Sequence, residues 1–319
     1  MERLSRLEAG FSTQNRGSLK STTPSCRGNR LVIRRLKAEG WKVYFFRVEN
    51  VEDVVAEVFS RLRWKSQIGR NDAVLLKPNF LSTPRAGITT DVGLVKAVVE
   101  VVKDRTSQVY VGETDSTAKD FDRVARKLDL GCKVVNLSKD KTVNVSGRYG
   151  VYRLPELALN SKIVNLPVLK THILTKVSLG IKNLFGLIQE KYKIVHHWKL
   201  DRILCDLYYI FRPPMNILDA LYVLDKKGPS GGRIRRADML AASSDTLALD
   251  AAACRLIGLE PSKVSHLRKI MATEEIEYEM VGETKLDMEF KIPATTLIRI
   301  GDFALTPLRI IKKKLFRLP

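Results

Sequence analysis

From residue 41 onward, short apolar runs alternate with amphipathic helical stretches, and that alternation leaves few folds open to the chain. Residues 42–48 alternate as a strand, and 51–62 place Val51, Val54, Val55, Val58, Phe59 and Leu62 on one helical face. A strand at 73–76, a helix at 92–103, a strand at 108–112, a helix at 118–128 and a strand at 133–136 follow. After a short hairpin at 140–153 the alternation resumes with a strand at 162–166, helices at 177–188 and near 200–210, strands at 215–219 and near 239–242, and a helix at 246–257. Residues from 274 alternate weakly, as edge strands do. Such an order predicts an α/β fold: a mainly parallel, helix-covered sheet, Rossmann-like and three-layered, with an added short β-hairpin and edge strands.

Length suits one α/β domain over residues 41–300. Residues 1–30 are rich in Ser, Thr, Asn and Gly without apolar periodicity and read as a disordered extension or as a start codon chosen wrongly upstream, and the basic extension is placed at residues 1–40. Residues 301–319 read as a basic amphipathic tail. The net charge is +20, of which +6 lies in residues 1–40 and +5 in 306–319, so much of the excess belongs to the ends. Charge of that kind speaks about partners, not fold. No run of 18 apolar residues spans a membrane, no apolar segment near the N-terminus suits a secretory signal, and Cys26, Cys132, Cys205 and Cys254 are far apart. A cytoplasmic protein without an intrinsic iron–sulfur cluster is expected. The tail, with Leu308, Ile310, Ile311, Leu315 and Phe316 around Lys312–Lys314, either closes the domain, the preferred reading, or lies on an anionic membrane.

Three polar groups follow three of the strands: Lys77-Pro78-Asn79, Glu113-Thr114-Asp115-Ser116 and Lys170-Thr171-His172. Parallel strands end on one edge of their sheet, so these distant groups converge there, where open α/β sheets bind ligands. Lys77, Lys170 and Lys182 would hold a small anion, a carboxylate or a phosphate, with Asn79, Asp91, Ser116, Thr171, Thr175 and Asn183 around it. His172 is the candidate acid–base or metal-binding group because its ordinary pKa lies near neutrality, and Lys170 stands beside it as a second catalytic candidate. Glu113 and Asp115 could bind a divalent cation through oxygen. Each has a plainer reading. Lys77 reads also as a solvated loop residue, Thr90 or Asp91 as a helix cap, the two carboxylates as partners of the lysines, His172 as a structural hydrogen-bonder and Lys182 as pointing to water.

Other signatures are weaker. Lys226–Arg233 (KKGPSGGR) is a glycine-rich basic loop whose Gly231 and Gly232 could approach an anion or form a flap, yet it matches neither a dinucleotide fingerprint nor a P-loop. His196 and His197 are adjacent and diverge, so one metal cannot easily take both. No G-x-S-x-G elbow and no H-E-x-x-H helix occurs.

Together LLKPNF (75–80), TTD (89–91), VGETDS (111–116), VNLPVLKTHILTKVSLGIKNLFG (164–186), ILDALYVLDKKGPSGG (217–232) and ASSDTLALDAAACRLIGL (242–259) closely resemble domain-of-unknown-function family 362. The resemblance covers roughly residues 42–270. It implies an α/β domain often joined to ferredoxin-like iron–sulfur modules, whose clustered cysteines this chain lacks, and it leaves the reaction open. An enzyme acting on a small anionic substrate is the leading expectation. A partner of a separate ferredoxin-like protein is a second. A third, a nucleic-acid binder through the basic tails, would be non-specific and salt-sensitive.

Overall fold

A computed structural model describes residues 40–80, 84–116, 120–190, 193 and 198–293. In chain order the elements are β1 (Trp41–Arg47), α1 (Val51–Arg61), β2 (Val74–Pro78), α2 (Val92–Lys103), β3 (Val109–Glu113), α3 (Phe121–Ala125) and β4 (Lys133–Asn136). The hairpin β5 (Thr142–Ser146) and β6 (Val151–Pro155) comes next, then α4 (Glu156–Asn160), β7 (Lys162–Leu166), β8 (Val168–His172), β9 (Lys176–Ser178) and α5 (Gly180–Leu184). The rest comprises α6 (Leu200–Phe211), β10 (Met215–Asp225), β11 (Arg233–Ser243), α7 (Thr246–Leu256), α8 (Ser265–Met271) and β12 (Tyr278–Gly282). The expected extension 1–40, except Gly40, and the tail 301–319 lie outside the described residues, as do His196, His197 and Cys26.

One large sheet runs β12-β1-β11-β10-β7-β2-β3-β4, with β8 added beside β10 and β9 beside β8. Pairing is parallel throughout β10-β7-β2-β3-β4 and between β1 and β12. It is antiparallel where β11 joins β1 and β10, and where β9 joins β8. The expected mixed α/β fold with a mostly parallel sheet is therefore present. Successive strand residues face opposite ways, and the core divides accordingly. Val74, Leu76, Val111, Val164, Leu166, Leu240 and Ala242 pack with α1, α2 and α3. Their neighbours Leu75, Ile163, Met239 and Ala241 pack with α5 to α8. Helices cover both faces, and three layers result. Side-chain caps set several helix starts: Asn50 accepts from the Asp53 amide, Asp91 from Leu94 and Asp245 from Ala248.

Four expectations need correction. The helix at 177–188 is instead strand β9, the short helix α5 and a 3-10 turn at Phe185–Leu187. A tight return after His172 makes the difference: Lys176 takes a positive φ of 68° and pairs with His172 in an antiparallel register. Lys77 and Glu113 do not follow their strands but lie within them, near the ends of β2 and β3. Lys170, Thr171 and His172 form the end of a strand of their own, since Pro167, which has no N–H to donate, separates β7 from β8. The strands placed at 215–219 and 239–242 are parts of longer ones, β10 and β11, each eleven residues long and paired with each other. Within β10 the pairing slips: Asp219 stands opposite Val168 but Leu224 opposite Lys170, and the β11 register shifts between Ala220 and Tyr222.

The β5–β6 hairpin is fastened to α6 by one carboxylate. Buried Asp206 accepts from the Arg148 amide at 3.0 Å, the Tyr149 amide at 2.8 Å and the Tyr152 hydroxyl at 2.6 Å. Three donors on one acceptor group make its removal costly, because each buried donor left unpaired forfeits about 1–3 kcal/mol. Asp206→Ala is expected to lower the unfolding free energy by about 3 kcal/mol or more, measured by urea denaturation. A loss below about 1 kcal/mol would show that the hairpin does not depend on this anchor.

Candidate functional site

At the carboxyl ends of β2 and β3, Lys77 and Glu113 form a buried ion pair, Nζ to Oε2 at 3.0 Å, with none of Lys77 exposed. Lys77 also donates to the Pro78 carbonyl at 2.8 Å, and the Glu113 carboxylate accepts from the Thr114 amide at 3.0 Å. Gly186 closes over this pair. A Cβ there would come within 2.7 Å of both Lys77 Nζ and Glu113 Oε1, so only glycine fits. The Gly186 carbonyl accepts from Thr114 Oγ1 and, at 3.3 Å, from Lys193 Nζ. Behind the pair runs a chain of amides. Asn183 donates to the Lys77 carbonyl and to Asn165 Oδ1, each at 2.9 Å, and Asn165 donates to Asn216 Oδ1 at 3.1 Å. Thr246 ends the chain on the same Asn216 oxygen.

Lys170 is fully buried at the end of β8. Its ammonium donates to the Ile88 carbonyl and to Asn79 Oδ1, the latter at 3.3 Å. Withdrawal from water, helped by the charge of Lys182, brings its pKa down to about 7. Glu113 and Asp219 oppose that change. Asp219 is likewise buried and its pKa is pushed up to about 7, chiefly by burial, although it accepts from the Asp91 amide at 2.7 Å and the Leu221 amide at 3.0 Å. Burial thus moves Lys170 and Asp219 toward neutrality from opposite sides. Asp91 itself caps α2, as the plainer reading had it, and its backbone amide serves Asp219.

Lys182, on α5, does not simply point to water. It is only partly exposed, and its ammonium sits 4.6 Å from the centroid of the Phe185 ring, a cation–π contact. Desolvation and the charge of Lys77 draw its pKa down to about 8 against the pull of Glu113. Among the described residues this ammonium has no hydrogen-bond acceptor. The short helix that carries it begins at Gly180, whose amide, with that of Ile181, donates to buried Asp250 at 2.7 and 2.9 Å. A Cβ at Gly180 would meet Thr246 and Asp250 at 2.7 and 2.9 Å, so α7 sets the position of α5.

The remaining candidates lie around this core. Thr171 Oγ1 accepts from the Gly228 amide at 3.0 Å, and the Ile173 amide donates to the Gly228 carbonyl at 3.1 Å, so the glycine-rich loop is laced to β8. Gly231 and Gly232 are at the far end of that loop. Gly232 needs its positive φ of 120°, and a Cβ there would reach the Asp225 carbonyl. Buried Asp225 anchors the loop by accepting from Arg233 at 2.7 Å and Arg235 at 3.0 Å. His172 Nδ1 accepts from the Leu174 amide at 3.2 Å, so in the neutral ring the proton sits on Nε2 and Nδ1 is not available to a metal. Thr175 donates to the Val177 carbonyl within the same turn. Asp115 turns away from Glu113: its Oδ1 accepts from the Phe121 amide at 2.8 Å and from Asn136 at 3.1 Å. Ser116 is half-buried beyond it. Among the described residues no three His, Cys, Asp or Glu side chains gather as metal ligands.

Lys77, Asn79, Glu113, Lys170, Lys182 and Asn183 are thus brought together, whereas Asp115, Gly231 and Gly232 serve the surroundings. Sequence reasoning missed Asp219, Asn165, Thr114 and Lys193. An acid inside the apolar run MNILDALYVLD and an asparagine inside KIVNL were the available signals for the first two, since such groups stay buried only when paired.

Comparison with known proteins agrees with the resemblance in the sequence. A thylakoid-associated protein of Synechocystis sp. is 28% identical over 209 residues, which cover 60% of this chain and 65% of that protein, so the chain spans less than two thirds of its relative. A crystal structure of a Thermotoga maritima protein aligns at 11% identity and a TM-score of 0.38, over 65% of this chain and 58% of that one. The profile of the family described as "Domain of unknown function (DUF362)" matches residues 74–255, more than half of the chain, and the protein belongs to that family.

Proposed function

We propose that the protein binds a small anionic molecule, a carboxylate or a phosphate, at the carboxyl edge of its parallel strands, and acts on it by proton transfer. The observation that carries this reading is Lys182. A cation drawn partly out of water, next to Lys77 and Lys170 and with only Glu113 as a nearby counter-charge, lacks an acceptor among the described residues. Buried charge of one sign is expensive unless a partner arrives. A bound anion would be that partner. Lys170, titrating near neutrality beside Asp219, is the group suited to give or take a proton there. Asn79 orients its ammonium, and His172, with its proton on Nε2, would serve as a donor to the ligand. A second reading, peripheral contact of the basic tail with an anionic membrane, rests on the thylakoid association in the name of the Synechocystis relative and on the five Lys and Arg of residues 306–319. No helix among the described residues is long and apolar enough to cross a membrane.

Three outcomes are expected. In a thermal-shift screen of carboxylates and phosphates, a ligand at a hundredfold its Kd should stabilise the protein by about 2.7 kcal/mol. Lys182→Met and Lys170→Met should abolish that shift, and unchanged shifts in both would sink the site. The free protein should show a stability minimum near pH 7. Raised acids bind more protons folded than unfolded, so Asp219 and Asp250, moved from 3.8 to about 7, make stability fall as pH rises from about 4 to 7. Lowered lysines bind fewer protons folded, so Lys170 and Lys182, moved from 10.5 to about 7 and about 8, make it rise from there to about pH 10. Urea unfolding across pH 5–10 reads this directly, and Lys170→Met should flatten the alkaline rise; an unaltered rise would refute the assignment to Lys170. For the second reading, full-length protein should float with anionic vesicles and a truncation at Asp302 should not; equal flotation would discard the tail as the anchor.

A further inference from the structure

Resting on the anion-site reading above, we propose that the ligand is a doubly charged oxyanion of the phosphoryl type, free or esterified, and that the site takes up a proton when it binds. Lys77 and Lys170 are the cationic neighbours of Lys182, and Glu113 is the carboxylate within the group. With all three protonated, as a bound anion favours, three ammonium groups against one carboxylate leave an excess of two positive charges. Asp219 acts on Lys170 and is not among the charges acting on Lys182, and it spends its oxygens on the Asp91 and Leu221 amides. A monoanion would cancel only half of the excess.

The two negative charges must also sit close together. Lys77 and Lys170 are wholly buried and already donate to Glu113, Pro78, Ile88 and Asn79, so Lys182, the partly exposed one of the three, is the ammonium that a ligand meets first. A phosphoryl group puts both charges in one tetrahedral head, whereas a dicarboxylate spreads them along a chain. Lys193 extends the rim of the same place. Its ammonium donates to Thr114 Oγ1 and, at 3.3 Å, to the carbonyl of Gly186, the residue that packs directly on Lys77 and Glu113. Sequence inspection offered no reason to single out Lys193; the fold brings it to the lysine cluster.

Proton uptake follows from the same geometry. Without a ligand burial depresses Lys170 and Lys182, Lys182 and Lys77 depress Lys170 further, and Lys77 depresses Lys182. A dianion beside them favours their charged forms, so above neutrality binding must draw protons from solution. No such uptake is expected of a neutral ligand or of an anion held elsewhere on the surface.

Isothermal titration of the full-length protein with sulfate and nitrate at pH 8, in buffers of different ionisation enthalpy, separates charge from proton uptake because neither probe titrates there. Inorganic phosphate, methyl phosphate and malonate form the second set. Sulfate is expected to bind at least about tenfold more tightly than nitrate, a difference of about 1.4 kcal/mol, with uptake of about one proton. Both phosphates should bind, and Lys193→Met should weaken them several-fold while the circular-dichroism melt of the free protein stays unchanged. Lys182→Met should remove binding and the proton uptake together. Methyl phosphate binding as well as inorganic phosphate would identify the esterified source, and exclusion of the ester the free ion. Equal affinity for sulfate and nitrate without proton uptake, or a preference for malonate over both phosphates, would overturn this inference and leave the anion site standing. Failure of every anion to bind would overturn the anion site itself.

Discussion

Placing Lys77 and Glu113 at the ends of two adjacent central strands takes two charges out of water, at an effective cost of several kcal/mol per ion. Their contact at 3.0 Å offsets that cost only because further hydrogen bonds complete each group. The Pro78 carbonyl and the Thr114 amide complete the pair from within their own strands. Gly186 completes it sterically, and this explains why the chain after α5 tightens into a 3-10 turn with a bare Cα over the ion pair. The position of α5, and with it Lys182, therefore depends on the ion pair beneath.

From that pair the dependence passes through amides. Asn183, Asn165 and Asn216 form a relay from the Lys77 carbonyl to Thr246 at the start of α7, and Asp250 of the same helix holds the first amides of α5. Every member is buried. A network of this sort rigidifies a site when complete, and is destabilising when any one partner is lost. The sheet thus supplies lysines from β2 and β8, and α7 fixes from the opposite side the distance between them and Lys182.

Much of this was legible in the chain. Apolar alternation gave the strand and helix order because burial on two sheet faces leaves a period that survives in sequence, and the caps at Asn50, Asp91 and Asp245 marked helix starts by local chemistry alone. The convergence of Lys77, Glu113 and Lys170 could be inferred because parallel strands share one edge. What could not be read was the stretch from Lys176 to Gly186. Its apolar spacing fits a helix, but antiparallel pairing with β8 and packing of Gly180 against α7 decide otherwise, and both are long-range contacts. Asp115 was similarly opaque: its partners Phe121 and Asn136 come from later elements, and no spacing rule foretells which way a loop carboxylate turns. Lys193 follows no strand and carries no motif.

The slip inside β10 sets a strict phase for everything downstream. Between Asp219 and Leu224 that strand advances five residues while β8 advances two, and Asp219 steadies the irregularity by accepting from Leu221. Side chains beyond it present the opposite parity from the one an unbroken ladder would give. Beyond the slip Asp225 stands opposite Arg233 and Val223 opposite Arg235, so Asp225 shares a face with both arginines. Length on both sides of Asp225 is consequently fixed. Losing a single residue from 220–224 would carry Asp225 out of register with Arg233, and beyond it Gly228 is held between Thr171 and Ile173, so the loop has no slack with which to absorb the change.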